Sequence, residues 1–231
     1  MAKVLTKNLF IATLLMAAIL TAGCTSPKRY MTIEGTALGT FVQVKCNTST
    51  PESDIRQMIA HVDSEAKASM SIFNADSRIA RLNSNDTDSL DSHLAFNIEL
   101  AGRFTQMSDG AYDITIKPLT DAWGFGIEDA HDNPNIDSIL TFVGYDKIAI
   151  DGMRLVKQDP RVQIDLNSIA KGYVVDVMAS HLEELGIEDY MVNIGGEIRC
   201  RGVNSRGEIW SIGIETPYDG NMAMDSFEKI I

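Results

Sequence analysis

The sequence predicts an α+β fold in which helices pack on mixed sheets. Long stretches carry apolar residues at helical spacing, and shorter runs alternate like strands around glycine turns. These elements do not follow the regular strand and helix order of a repeating βαβ protein. The 231 residues are 45% hydrophobic and 23% charged, which is typical of one folded domain or two small lobes.

The net charge argues against binding to nucleic acid. The chain has 32 Asp and Glu residues against 20 Lys and Arg residues, a formal charge of -12. Such a surface repels the phosphates of DNA and RNA. A ligand that carries phosphate therefore needs local positive charge from a helix N-terminus, a lysine or a divalent cation.

The N-terminal segment predicts an exported lipoprotein. Lysines precede an apolar run at residues 9–20 that is about half the length needed to span a bilayer as a helix. Small residues then lead into Cys24, which indicates a signal peptide over residues 1–23 and lipidation of Cys24. A tether over residues 24–30 and a body over residues 31–231 follow, anchored to the cell membrane and facing the periplasm or the cell exterior. An uncleaved anchor with an incidental cysteine remains an alternative.

The first half of the body predicts a hairpin and two helices. Residues 30–44 alternate around glycines, which favours a hairpin or a bent strand. Pro51 to Met70 and Leu94 to Met107 repeat apolar residues at helical spacing, and the second of these ends at an Asp-Gly turn signal. The polar stretch from Ser71 to Asn85 between them predicts mostly loop.

The second half predicts strands around one long helix. That helix runs from Ile169 to Leu185, with Met178 and Leu182 on its apolar face. The strand-like runs are residues 147–151 and 153–157, joined by an Asp-Gly turn, and residues 162–165, 190–202 and 209–215. Residues 226–231 look like the opening of a further strand, so we expect the C-terminal part of the protein to be missing from this sequence.

The cysteines of the body leave one question open. Cys46 and Cys200 each end a strand-like run, and they would pair if neighbouring strands brought them together. There is no CxxC motif, and the four histidines lack metal-ligand spacing. Thiol chemistry and a structural zinc site are therefore disfavoured.

The start of the long helix is the sharpest candidate site. A buried strand is predicted to end at Asp165, with Asn167 and Ser168 as N-cap residues and Lys171 in the first turn. A helix N-terminus attracts anions, whereas a lysine there opposes the helix dipole unless an anion lies nearby. The alternative is an ordinary capped helix with a solvated lysine.

Two glycine-bearing segments add to this signal. In residues 110–126 a turn presents Tyr112 and Asp113 on a short run that Pro118 is expected to end, and Trp123 and Phe125 could wall a flat ring. In residues 190–199 a buried strand runs into two glycines, where a backbone can approach a ligand closely. A core aromatic cluster and a β-bulge are the respective alternatives.

Taken in order, the motifs resemble those of the ApbE family. They are GTALGT at residues 35–40, SIFNADSRIARLN at 71–83, GAYDITIKPLTDAWGFG at 110–126, IDLNSIAKGYVVD at 164–176 and VNIGGEIRCRG at 192–202. The resemblance extends from about Tyr30 to Pro217. It implies a two-lobed domain with a flavin nucleotide cleft.

The resemblance also implies an activity and partners. Family members are FAD:protein FMN transferases, which use Mg²⁺ to transfer FMN from FAD to a threonine or serine hydroxyl of an exported flavoprotein and release AMP. Acceptors of this kind include subunits of NADH:quinone or Rnf-type redox complexes. Two alternatives stay open: an FAD pyrophosphatase that yields FMN and AMP, and a flavin-binding lipoprotein without catalysis.

Site residues follow from the same resemblance, position by position. It implies that Ser168 begins the metal shell and that the nucleotide contacts are Leu38, Phe73, Ala111, Tyr112, Asp113, Asp165 and Lys171. Leu38 stands where methionine is more usual, a near-isosteric exchange. The family's later His-x-x-Asp-Pro motif and Asp/Thr pair are expected beyond Ile231, with the remaining metal ligands. No catalytic residue is assigned.

Overall fold

The computed structural model describes residues 28–126, 133–216 and 227–231, so the predicted signal peptide and Cys24 lie outside the described residues. The strands are β1 Arg29–Ala37, β2 Thr40–Thr48, β3 Ile148–Asp151, β4 Arg154–Lys157, β5 Tyr190–Ile194, β6 Glu197–Arg201, β7 Gly213–Glu215 and β8 Phe227–Ile230. The helices are α1 Glu52–Met70, α2 Arg78–Asn83, α3 Ser92–Met107, α4 Lys117–Ala122, α5 Ile136–Leu140 and α6 Ala170–Glu184. No helix within these ranges is long and apolar enough to cross a membrane.

The main sheet has the strand order β1-β2-β5-β6 and is antiparallel throughout. Ile33, Val44 and Val192 lie side by side on three of its strands and are buried. Helices α1 and α6 pack together on the sheet. β3 pairs with β4 and β7 pairs with β8 in two smaller antiparallel sheets. This architecture confirms the predicted α+β class.

The three long helices are confirmed close to their predicted bounds. On α1 the buried residues include Ile55, Ile59 and Val62, and on α6 they include Met178 and Leu182. This spacing of three or four residues places the apolar side chains on the face that meets the core. Each long helix was therefore predictable from the helical spacing of the apolar residues on its buried face.

Two boundaries differ from the predictions. Strand β1 begins at Arg29, so the last residues of the predicted tether belong to the sheet. The predicted loop over residues 71–85 contains α2, whose N-cap Ser77 accepts a hydrogen bond from the Ala80 amide at 3.1 Å. Six residues are too few to produce a recognisable helical period.

Residues 162–165 do not form the predicted strand. Ile164 and its alternate neighbours Val162 and Leu166 are fully buried, which explains the strand-like pattern. However, the Ile164 amide donates to Asn83 Oδ1 at 2.8 Å, and the Ile164 carbonyl accepts from Asn83 Nδ2 at 2.8 Å. A buried asparagine thus satisfies the backbone that a neighbouring strand would otherwise satisfy.

The run before Pro118 also differs from the prediction. Residues Ile114–Ile116 form a 3₁₀ turn that continues into α4, and Pro118 lies in the first turn of that helix. A proline is tolerated there because the first-turn amides have no partner within the helix. Pro118 therefore lies in the first turn of a helix instead of ending the run.

The two cysteines of the body are unpaired. Cys46 lies opposite Tyr190, whereas Cys200 lies opposite Met191, the next residue of β5. Successive residues of a strand point to opposite faces of a sheet, so the two thiols are on opposite faces with β5 between them. Burial raises the pKa of the Cys46 thiol to about 11, which makes it unreactive.

Candidate functional site

A cavity of about 550 Å³ lies where the β1–β2 turn, the end of α1 and the start of α6 meet. Three of the residues that the family resemblance implies line it: Leu38, Phe73 and Lys171. The other lining residues are Gly39, Ala66, Lys67, Met70, Ser71, Asn74, Asn167 and Ala170. Its volume is within the range of small-molecule sites, about 300–1,000 Å³.

Leu38 belongs to a strained turn. Its φ is 52° and that of Gly39 is 76°, a left-handed pair that suits a tight hairpin but is unfavourable for leucine. The Leu38 amide donates to Asp63 Oδ1 at 2.7 Å, and Asp63 Oδ2 accepts from Lys67 Nζ at 2.7 Å. Asp63 therefore fastens the turn to α1 at the edge of the cavity.

Phe73 offers an aromatic surface to the cavity. Its side chain is 65% exposed, although it follows the buried residues Met70 and Ile72. The Ser77 hydroxyl donates to the Ser71 carbonyl at 2.7 Å and holds the chain as it leaves α1. An exposed ring at a cavity wall is suited to stacking against a flat ligand.

The start of α6 has a different cap from the predicted one. Ile169 is the N-cap residue and no side chain caps the helix. The Asn167 amide instead donates to Asp165 Oδ1 at 2.7 Å, and Ser168 Oγ lies 3.0 Å from the Tyr112 hydroxyl. The helix thus presents an N-terminus without a side-chain cap to the cavity, an arrangement suited to an anion.

Lys171 has an acidic partner. Its Nζ lies 2.8 Å from Glu197 Oε1 and donates to Glu197 Oε2 at 3.0 Å. Both side chains are more than one third exposed. Glu197, the first residue of β6, is therefore a negative charge that offsets the unfavourable interaction of this lysine with the helix dipole.

Tyr112 connects two of the segments identified in the sequence. Its amide donates to Ser108 Oγ at 2.9 Å, and its ring meets Phe104 edge-on at 5.9 Å. Its hydroxyl reaches Ser168, which lies 56 positions further along the chain. Ala111 precedes it in an exposed turn.

Asp113 is fully engaged in the protein. Its Oδ1 accepts from the Thr115 amide at 2.8 Å and from Thr115 Oγ1 at 2.7 Å, and its Oδ2 accepts from the Tyr145 amide at 2.8 Å. The carboxylate therefore joins the 3₁₀ turn Ile114–Ile116 to a second one, Tyr145–Lys147. Contact of this residue with a nucleotide stays a prediction.

Asp165 is a half-buried carboxylate beside other charges. Burial raises its pKa, and the Asn167 amide and the charge of Lys117 oppose this rise, while Asp121 adds to it. The buried Lys117 forms an ion pair with Asp121, whose Oδ1 is buried without a hydrogen-bond partner. Asp165 thus lies next to a largely buried ion pair, and its charge interacts with both Lys117 and Asp121.

The structure unites some of the implied residues and not others. Tyr112 and Ser168 meet, but neither lines the cavity. Ala111, Asp113 and Asp165 are also not among the described residues that line it. Sequence reasoning missed Asp63, Lys67 and Glu197. The i, i+4 spacing of Asp63 and Lys67 was a visible signal, whereas the partner of Lys171 was not visible because it comes from another element.

The described residues do not form a metal centre by themselves. No group of three or more His, Cys, Asp or Glu side chains within them could hold an ion. Ser168 offers one neutral hydroxyl, which already contacts Tyr112.

Comparison with known proteins gives consistent matches. A family model described as "ApbE family" matches residues 38–231. The FAD:protein FMN transferases of Vibrio cholerae and Haemophilus influenzae are each 34% identical, over 88% and 87% of this chain and 64% and 62% of their own lengths. The chain therefore spans less than two thirds of these relatives.

Solved structures agree with the sequence matches. The flavin transferase ApbE from Vibrio cholerae superposes with a TM-score of 0.77 at 32% identity, covering 83% of this chain and 65% of that one. The apo flavinyl transferase ApbE of Pseudomonas stutzeri gives 0.76 at 27% identity, covering 81% and 66%.

Proposed function

The chain belongs to the ApbE family, and from that premise we propose that it transfers FMN from FAD to a threonine or serine hydroxyl of an exported flavoprotein and releases AMP. The observation that carries the proposal is the cavity that joins Leu38, Phe73 and the N-terminus of α6. It combines an apolar wall, an aromatic ring and a helix N-terminus with a lysine in its first turn, which are features that suit a flavin nucleotide.

The charges in the cavity suit the phosphates of FAD. Lys171 lies in the first turn of α6, so its ammonium and the helix dipole act at the same end of the cavity. Lys67 lines the same cavity. Lys171 is paired with Glu197 and Lys67 with Asp63. In a protein with a net charge of -12, these groups therefore offset only part of the charge of a pyrophosphate.

The proposed reaction is a phosphoryl transfer. The acceptor hydroxyl oxygen attacks the phosphorus of the FMN half, and the bond between that phosphorus and the bridging oxygen breaks. AMP leaves with the bridging oxygen and its electron pair, and the hydroxyl proton is released. Catalysis of such a step rests on positioning and on neutralising charge, so the α6 terminus and Lys171 would act by holding the pyrophosphate in place.

The proposal includes Mg²⁺, because one lysine and one helix terminus offset only about one and a half charges of a pyrophosphate. Ser168 is the described residue that the resemblance implies as a ligand. The described residues do not complete a magnesium site. No step of the reaction is therefore derived through the ion.

We also propose that the protein is anchored to the membrane through lipid on Cys24 and faces the periplasm or the cell exterior. The lysines, the apolar run and the small residues before Cys24 support this. Acceptors in that compartment would be flavoproteins such as subunits of NADH:quinone or Rnf-type redox complexes.

Products distinguish the three candidate activities. The protein is incubated with FAD, Mg²⁺ and a threonine-bearing acceptor protein, with EDTA in a parallel reaction. Covalent flavin on the acceptor and an equal amount of AMP are expected, both lost with EDTA. Free FMN and AMP without labelled acceptor would indicate a pyrophosphatase, and intact FAD alone would indicate a binding protein.

A further inference from the structure

Helix α6 and strand β6 are joined by a row of ion pairs whose polarity changes at the cavity. Away from the cavity the helix carries the acids and the strand carries the bases. At the helix start the order is reversed, with the base on the helix. The pairs are Glu183 with Arg201 at 3.3 Å, Glu183 with Arg199 at 3.1 Å, Asp176 with Arg199 at 3.0 Å, and Lys171 with Glu197 at 2.8 Å.

Docking of the helix does not require this reversal. An acid on the first turn of α6 would interact favourably with the helix dipole, and a lysine there interacts unfavourably. The reversal places the base of this pair on the element that borders the cavity, since Lys171 lines the cavity and Glu197 is not among the described residues that do.

The geometry leaves Lys171 able to bind a ligand. Both oxygens of Glu197 contact Nζ, at 2.8 and 3.0 Å. A lysine ammonium has three N–H donors, so one remains for an anion in the cavity. The carboxylate thus fixes the direction of the side chain without using all of its hydrogen bonds.

Glu197 begins β6 directly after a tight turn of two glycines. It follows Gly195 and Gly196, whose φ values are 58° and 102°. A Cβ atom at Gly195 would lie 2.7 Å from Thr40 Cγ2, and the Gly196 amide donates to Asn193 Oδ1 at 3.0 Å. This tight turn determines where β6, and therefore the carboxylate, begins.

We propose that Glu197 is a positioning residue, which holds the Lys171 ammonium over the cavity so that it is already oriented when a phosphate-bearing ligand binds. The inference rests on the proposed binding of FAD in this cavity. Without Glu197 the lysine would have to be ordered during binding. Ordering one flexible side chain corresponds to about a two- to tenfold loss of affinity.

The test measures dissociation constants for FAD, from the change in flavin fluorescence, with the full chain. Glu197→Ala should raise the constant about two- to tenfold, and Glu197→Gln should have a smaller effect. In a Lys171→Met background, Glu197→Ala should have no further effect. Binding of riboflavin, which has no phosphate, should be unchanged by Glu197→Ala.

Glu208→Ala is the matched control, because it breaks an exposed ion pair with Arg206 of 2.8 Å. This variant should bind FAD like the wild type. Unchanged affinity of Glu197→Ala for FAD would overturn the inference. Tighter binding would also overturn it, because it would mean that the carboxylate competes with phosphate for Lys171.

A second measurement separates this inference from the proposed function. Wild-type protein that failed to bind FAD would refute the proposed function, and the state of Lys171 would still be measurable. Its acetylation rate by an amine-reactive reagent, read by peptide mass spectrometry, should rise about twofold or more in Glu197→Ala as the ammonium is released. Equal rates in the two folded proteins would refute the inference that Glu197 holds Lys171.

Discussion

The Tyr112 hydroxyl and the Ser168 hydroxyl lie 3.0 Å apart. This contact joins the turn after α3 to the loop before α6, two segments that the sequence marks separately. Tyr112 is supported from behind by Phe104. The position of Ser168, the implied first metal ligand, therefore depends on an aromatic side chain from another part of the chain.

Tyr112→Phe should lower the rate of the proposed flavin transfer with little loss of stability. The ring would still pack on Phe104, but Ser168 would lose the hydroxyl that orients it, and we expect about a three- to tenfold lower rate, the usual effect of about 1 kcal/mol. The rate is measured with saturating FAD and acceptor. Tyr173→Phe is the matched control, because it removes a hydroxyl that hydrogen-bonds to His93 Nδ1 at 2.8 Å. An equal loss of rate in both variants would contradict the prediction.

Asp63→Ala should loosen the turn at Leu38. The leucine amide would lose its acceptor at a backbone conformation that is already unfavourable, so we expect about 1–2 kcal/mol lower stability in urea unfolding and weaker FAD binding. Asp63→Asn keeps an oxygen that can accept the bond. It should recover most of the stability, and failure to do so would assign the effect to the Lys67 ion pair instead.

The helices were predictable because each long one has a buried face with its own period. The alternation of Val162, Ile164 and Leu166 was also a true signal of burial. It did not reveal that Asn83 would bond the backbone from another element, because burial sets the pattern of side chains and not the source of the hydrogen bonds. The strand was wrong for that reason.

Three of the residues implied by the family resemblance line the cavity, but their contacts were not predictable from the sequence. Family resemblance identified Leu38, Phe73 and Lys171, which the fold brings to one cavity. It gave no sign of Glu197, since the pairing of Lys171 depends on the register of β6 and on where α6 packs. Local cap preferences likewise assigned Asn167 and Ser168 to a helix cap. In the structure the Ser168 hydroxyl instead contacts the Tyr112 hydroxyl, and the Asn167 backbone amide donates to Asp165.

Asp165→Asn should change how stability depends on pH. Burial raises the pKa of Asp165, so the folded protein holds this proton to a higher pH than the unfolded chain does. Between the two pKa values the folded state binds more protons, and the stability from this group falls as pH rises through that window and stays lower above it. The asparagine variant lacks this loss.

The free energy of unfolding of Asp165→Asn minus that of the wild type should therefore increase with pH from about 4 upward and then level off. Denaturant unfolding of both proteins at several pH values measures it. Asp159→Asn is a control of opposite sign, because bonds to Arg161 lower the pKa of Asp159 to about 2. A difference for Asp165→Asn that is flat, or that decreases with pH, would contradict the burial of this carboxylate.

Lys171→Met should weaken FAD binding more than Lys67→Met, and the difference should shrink as salt increases. Both lysines line the cavity and both pair with a carboxylate, Lys171 with Glu197 and Lys67 with Asp63. They differ in their position along the helix. Lys171 is at the N-terminal end of α6, where the helix dipole also attracts a phosphate, whereas Lys67 is in the last turn of α1, where the dipole attracts the lysine itself.

We expect about a tenfold rise in the dissociation constant for Lys171→Met at low salt. At 0.5 M salt the Debye length is about 4 Å, so screening should make this rise several-fold smaller. Fluorescence titration at both salt concentrations measures this, and equal effects of the two substitutions, or an effect independent of salt, would mean that Lys171 does not face the phosphates.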